Sequence, residues 1–178
     1  MAKNRTQDNA YLESLLKSIA CGDQDALAKL YHETSAAVYA YALSVLKNSH
    51  DAEDVLHDCY LKVWSAADAY RPEGKPMAWI LTVARNLCLQ DLRRRQKTAE
   101  LPQEDWRDCM DACTEMTADD KVVLQQCMEK LTDDERQIVV LHAVSGFKHR
   151  EIAGLMDLAL PTVLSKYHRA LKKMKACL

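Results

Sequence analysis

Three groups of side chains in this 178-residue chain have the types and spacing to do chemistry. Near the C-terminus, Thr162, Ser165, Lys166, Arg169, Lys172 and Lys173 recur so that one side of a helix would carry hydroxyls and cations, with Arg150 a short way upstream. Lysines and arginines neutralise phosphates or donate to guanine edges, and the first residues of such a helix reach bases in a major groove. Further upstream, Asp51, Asp54 and Asp58 stand at i, i+3 and i+7, which places three carboxylates on one helical face. That array suits charge-assisted pairing with a basic partner; its plain alternative is a solvated acidic surface. The third group lies between them, where Tyr70, Arg71 and Lys75 bracket a loop and Arg85, Asn86, Arg93, Arg94, Arg95 and Lys97 follow on one helix. Cations in such a run would hold a phosphate backbone without reading sequence, while an aromatic residue beside a loop is either a stacking surface or ordinary core.

Other spacings carry less. His50-Asp51 and His57-Asp58 share a helical face, as in a metal-dependent phosphohydrolase, but no converging ligands from other segments complete a metal site. Cys109 and Cys113 are one helical turn apart and could form a redox or metal switch, yet no second Cys or His pair stands at zinc-finger spacing. They read as free thiols, and His142 on an apolar helix reads as a satisfied packing residue. No metal or cofactor is expected.

These groups need helices to position them, and the composition supplies helices. Four glycines, four prolines and one phenylalanine stand among many Leu, Ala, Lys, Glu and Asp, residues that lose little freedom in a helix or favour its start. The expected fold class is all-α. Seven cysteines, an odd number set within helical patterns, do not resemble a secreted disulfide framework. No apolar run approaches the roughly 20 residues of a membrane span, and Met1 to Tyr11 is unlike a signal peptide, so a cytoplasmic protein without membrane insertion is expected. The net charge of −2 conceals its distribution. Two basic segments, Arg85 to Lys97 and Pro161 to the C-terminus, flank an acidic stretch from Thr98 to Asp120.

Helical periodicity runs from Tyr11 to Lys47, broken at Gly22-Asp23. Ser49 is the expected cap of the next helix, which carries Val55, Tyr60, Leu61, Val63 and Trp64 and ends near Tyr70. Residues 71–76 hold two prolines and a glycine and read as a loop, with Pro76 in the first turn of a helix that continues to about Gln96. Within that helix Trp79 is a second stacking candidate that reads better as core. Residues 98–117 read as a linker, which divides the chain into 1–97 and 118–178. In the second part Thr132 and Glu135 form a capping box, stapled by Leu131 against Arg136 or its neighbours. Lys148 to Asp157 and Pro161 to Lys175 read as a helix-turn-helix, with Ala153 at the crossing and Val163, Leu164, Tyr167, Leu171 and Met174 toward the core.

Two strings make the reading specific: DAEDVLHDCYLKVW from Asp51 to Trp64, and MAWILTVARNLCLQDLRRR from Met77 to Arg95. The first resembles region 2.2 of an extracytoplasmic-function (group IV) sigma factor, the second resembles its regions 2.3 and 2.4, and Leu131 to Lys175 is similar to its region 4. The resemblance spans Gly22 to Arg95 and Leu131 to Lys175 in the family's order. It implies a non-enzymatic factor that lends core RNA polymerase its promoter specificity and opens DNA without consuming nucleotide. By the same resemblance Asp51, Asp54, Asp58, Leu61 and Trp64 would meet the β′ clamp helices. Tyr70, Arg71, Lys75, Arg85, Asn86, Arg93 and Arg94 would engage the minus-ten element, and Arg150, Thr162, Ser165, Lys166, Arg169, Lys172 and Lys173 the minus-thirty-five element. The β flap, promoter DNA and an anti-sigma factor are the further partners implied. Lys148 at the cap of the supporting helix, Asp157 where a glycine is usual, and Pro161 and Leu164 in the second helix depart from the pattern and bear on which bases are read. The rival readings are a stand-alone helix-turn-helix regulator, and an interaction module or enzyme whose basic segments only solubilise.

Overall fold

The computed structural model describes residues 5–98 and 117–177. The expected linker lies outside them except for its two end residues, as do Cys109 and Cys113. Within the described residues the chain is all-helical: α1 (Arg5–Ala20), α2 (Gln24–Leu46), α3 (Ser49–Ala66), a 3-10 turn (Ala67–Ala69), α4 (Pro76–Thr98), α5 (Ala118–Glu129), α6 (Asp133–Ala143), α7 (His149–Met156) and α8 (Leu160–Lys175). They divide into two compact units, Met1–Ala42 with Glu53–Ala99, and Leu43–Ala52 with Glu100–Leu178.

Local chemistry sets the ends of the first four α-helices. Gly22 takes a positive φ of 86° after α1, a conformation that costs glycine nothing, and the Asp23 carboxylate accepts from the Ala26 amide at 3.1 Å to start α2. At α3 the expected cap is displaced by one residue. Asn48 Oδ1 accepts from the Asp51 amide at 3.1 Å, whereas Ser49 is buried with its hydroxyl unpaired. Pro76 opens α4, where its missing N–H is no loss. Leu16, Leu30, Val38, Tyr41, Val63, Ile80 and Leu81 form the core, each essentially without exposed surface. Truncating one such leucine to alanine costs about 2–5 kcal/mol. Cys59 and Cys88 lie in this core, and burial pushes both thiols up to about 12.

In the second unit the capping box of α6 forms as its spacing predicts. The Glu135 carboxylate accepts from the Thr132 amide at 2.9 Å, and the Thr132 hydroxyl accepts from the Glu135 amide at 3.4 Å. The staple differs: Leu131 packs with Val139 and Ala170, while Arg136 is buried in polar company, donating to the Met128 and Leu131 carbonyls and to Asp133. A buried guanidinium with that many acceptors is compensated for its lost water. The α7–α8 turn passes through Asp157, left-handed at φ 55°, ψ 45°, where a glycine would be unstrained. Lys148 supplies no side-chain cap to α7, but Glu151 accepts from its amide at 2.8 Å, so half of a capping box remains. On α8 the buried stripe is Val163 and Ala170 with the half-buried Tyr167 and Met174. Leu164 and Leu171, expected in the core, are 37% and 43% exposed; the small Ala170 is the residue buried with Leu131 and Val139.

Candidate functional site

The loop between the 3-10 turn and α4 borders a shallow depression of about 350 Å³, lined by Ala69, Tyr70, Arg71, Glu73, Lys75, Ala78, Trp79 and Thr82. Tyr70 and Trp79 face each other there, ring centroids 5.3 Å apart and tilted by 59°. Trp79 is therefore half-buried at the wall of a depression rather than in the core, because Ile80 and Leu81 fill the core positions of α4. Arg71 and Lys75 stand exposed at the rim. Two aromatic planes with cations beside them can stack a flat, electron-rich ring and neutralise a phosphate attached to it.

Helix α1 holds this loop, a role the sequence did not signal. Glu13 Oε1 accepts from the Tyr70 hydroxyl at 2.7 Å and from the Gly74 amide at 2.8 Å, and Asn9 Nδ2 donates to the Gly74 carbonyl at 2.8 Å. Burial, together with the Glu13 hydrogen bond and charge, pushes the Tyr70 phenol above its ordinary range, so it remains a donor at all physiological pH. Asn9 and Glu13 share the i, i+4 face that makes a double grip possible, but nothing in their sequence context singles them out.

From Thr82 in the depression an exposed stripe runs along α4 through Asn86 and Gln90 to Arg93. Arg94 is exposed and Arg95 partly buried, and Asp91 pairs with both, at 2.7 Å each. Arg85 is half-buried and its charge acts on Tyr41 beneath. The Lys97 side chain lies outside what is described. On α3, Asp54, Asp58 and Leu61 are exposed, Leu61 to 67%, whereas Asp51 and Trp64 are half-buried. A second depression, between α3 and α4, joins Asp58, Leu61, Lys62 and Ser65 to Leu87 and Gln90. An apolar residue flanked by carboxylates on an outward face is a fit for a partner with a basic rim.

The helix-turn-helix carries its cations unequally. Lys166 pairs with Asp134 at 2.8 Å, Lys173 with Glu135 at 2.6 Å, and Arg169 approaches Glu135 at 4.0 Å. The Glu135 side chain is almost fully buried; burial raises its pKa, but Lys173 and the Thr132 amide outweigh that and hold the carboxyl below its ordinary value. Ser165 and Lys172 are exposed on α8, Thr162 half-buried, and Arg150 exposed on α7. Behind this face His142, His149 and Tyr167 form an aromatic cluster with centroids 4.6–5.0 Å apart. His142 Nδ1 bonds the Phe147 carbonyl at 2.8 Å, so it is the satisfied packing residue its context predicts.

Comparison with known proteins bears directly on this pairing of a loop-and-helix unit with a helix-turn-helix unit. The profile of Sigma-70 region 2 matches residues 30–98, and that of Sigma-70 region 4 matches residues 121–174. The chain belongs to the sigma-70 family of RNA polymerase sigma factors. Its similarity is to the extracytoplasmic-function group. ECF RNA polymerase sigma factor SigK of Mycobacterium ulcerans (strain Agy99) is 29% identical over 94% of this chain and 93% of its own length. The SigK of Mycobacterium tuberculosis (strain ATCC 25177 / H37Ra) is 27% identical over the same shares. Among solved structures, CnrH, in complex with the cytosolic domain of CnrY, superposes with a TM-score of 0.67 at 23% identity, over 93% of this chain and 96% of that one. The sigma factor RpoE of Bartonella quintana, in complex with the anti-sigma factor NepR, gives 0.69 at 21% identity over 84% and 94%. Both likenesses are of fold. Sigma factors are not known as enzymes. Among the described residues no group of three or more His, Cys, Asp or Glu side chains is placed to hold a metal ion, and no helix is long and apolar enough to cross a membrane.

Proposed function

We propose that this sigma factor docks on core polymerase through Asp54, Asp58 and Leu61 of α3, captures an unstacked minus-ten base in the Tyr70–Trp79 depression, and reads the minus-thirty-five element with α8. The observation that carries the reading is the depression itself, in which two tilted rings, an arginine and a lysine border a loop fixed from behind. Opening a duplex without nucleotide hydrolysis requires a site that compensates the lost stacking, and base–aromatic stacking supplies about 1–3 kcal/mol per base. The exposed stripe from Thr82 through Asn86 to Arg93 then lies along the path of the same strand.

For polymerase, the carboxylates of Asp54 and Asp58 suit a basic coiled coil such as the β′ clamp helices, and exposed Leu61 supplies apolar contact at their side. The β flap is assigned to the second unit on the family likeness alone. An anti-sigma factor covering these faces is supported by the two structural neighbours, each solved with a bound partner. The chain would operate in the cytoplasm, where polymerase is.

The test is 2-aminopurine placed at each minus-ten position of a promoter selected by the wild-type holoenzyme. One position should change fluorescence on binding, and Tyr70→Ala or Trp79→Ala should abolish that change while core affinity stays as in wild type. An unchanged signal in both variants would refute base capture in this depression.

A further inference from the structure

We infer that Glu13 and Asn9 of α1 are positioning residues for promoter opening, holding the 70–76 loop in its base-receiving shape before DNA arrives. The inference deepens the proposal above and rests on its reading of the Tyr70–Trp79 depression.

The geometry is specific. A single carboxylate oxygen of Glu13 accepts both the Tyr70 hydroxyl and the Gly74 amide, at 2.7 and 2.8 Å, while Asn9 takes the Gly74 carbonyl at 2.8 Å. Both backbone polar groups of Gly74, its N–H and its C=O, are thus fixed from one helix, at a residue whose φ of 72° leaves it left-handed. Glycine at such a φ has little intrinsic preference for one conformation, so external hydrogen bonds must select it. The same oxygen fixes the far end of Tyr70, whose ring makes one wall of the depression against Trp79. Beyond these grips, the segment's backbone hydrogen bonds are local: the Tyr70 amide to the Ala67 carbonyl, the Glu73 amide to the Arg71 carbonyl, the Trp79 amide to the Lys75 carbonyl, and the Lys75 amide to the Tyr70 hydroxyl. A loop ordered in advance loses less freedom on binding, which is how preorganisation raises affinity without adding a contact to the ligand. Glu13 and Asn9 line neither the depression nor its rim, so they would act through Tyr70 and Gly74 rather than by touching the base.

Four full-length variants on core polymerase separate the possibilities: Glu13→Leu, Glu13→Gln, Asn9→Leu and Tyr70→Phe. Glutamine keeps a carbonyl oxygen able to accept both hydrogen bonds; leucine keeps neither. The rate of open-complex formation, read by the 2-aminopurine signal on the selected promoter, should fall about tenfold in Glu13→Leu and stay within about twofold of wild type in Glu13→Gln. Asn9→Leu, which removes one hydrogen bond, and Tyr70→Phe, which removes the hydroxyl's bonds to Glu13 and to the Lys75 amide, should fall between. Discrimination between the promoter and one altered at the captured base should shrink in the same order, with core affinity and melting temperature preserved. Equal rates and equal discrimination in Glu13→Leu, with Tyr70→Ala still defective, would overturn the positioning role and leave the capture site standing. A defect in Glu13→Leu matched by equal loss of core affinity and thermal stability would also overturn it, since a general structural role predicts that pattern. Indifference of Tyr70→Ala and Trp79→Ala would remove the capture site and this inference with it.

Discussion

Glu135 holds Lys173 at 2.6 Å, and the same carboxylate oxygen accepts the Thr132 amide at 2.9 Å. One almost buried side chain therefore closes the cap of α6 and ties α8 to it, while drawing a cation away from the face expected to meet DNA. On the proposed reading, stability and DNA contact compete for Lys173. Glu135→Gln should destabilise the second unit by about 1–2 kcal/mol, read as faster amide exchange in α6 and α8. Releasing Lys173 and Arg169 should also steepen the salt dependence of duplex binding, by about one in the log–log slope per cation that gains a phosphate.

The same pair makes the unit acid-labile. The Glu135 pKa is depressed in the folded state, so its contribution is fully present above the ordinary carboxylate value and is lost as pH falls through the folded value. Thermal melts of the full chain should show stability falling below about pH 4.5, and less steeply in Glu135→Gln.

His149 gives a second, milder dependence. Its Nε2 is buried without a hydrogen-bond partner, and burial, with the charges of His142 and His168, lowers its pKa from 6.5. A base with a depressed folded pKa stabilises above its unfolded value, and that stability is lost as pH falls from about 6.5 through the folded value. Amide exchange in α7 should quicken over this window, and His149→Phe should flatten the response.

Thiol reactivity should divide by burial. Cys21 is exposed, whereas Cys59 and Cys88 are enclosed and held as thiols by their raised pKa. Peptide mapping after brief alkylation of the native protein should find Cys21 modified and Cys59 and Cys88 intact until denaturant is added.

Leu61 and Leu81 separate surface from core. Leu61→Ala should leave the melting temperature within error and weaken core binding several-fold, whereas Leu81→Ala should cost about 2–5 kcal/mol of stability. Calorimetry beside a polymerase titration reads both.

The helices were legible in the sequence because apolar spacing and punctuation agree: Gly22-Asp23, Pro76 and the Thr132–Glu135 box all stand where helices begin or end. The cap at α3 slipped from Ser49 to Asn48, since two adjacent residues each favour that position and only packing chooses between them. Leu164 and Leu171 misled because periodicity gives a stripe without fixing its centre, and the small Ala170 marks the true contact. The side chains of the loop were named by family likeness, but its support by Asn9 and Glu13 spans 57 to 65 residues of sequence and follows from tertiary structure alone. Likewise, three of the six cations and hydroxyls named on α8 face carboxylates of α6, pairings that one helix read by itself does not reveal.

On the proposed reading, the α3 face carries this sigma factor onto core polymerase, and promoter choice depends on that docking. The direct measurement is initiation by bacterial core RNA polymerase on a library of host promoter DNA, with the wild type beside Asp54→Arg/Asp58→Arg. The wild type should direct specific start sites and the variant should not, although both fold. Initiation indifferent to the chain, with the chain alone shifting duplex DNA, would contradict the account and return the protein to a stand-alone helix-turn-helix regulator.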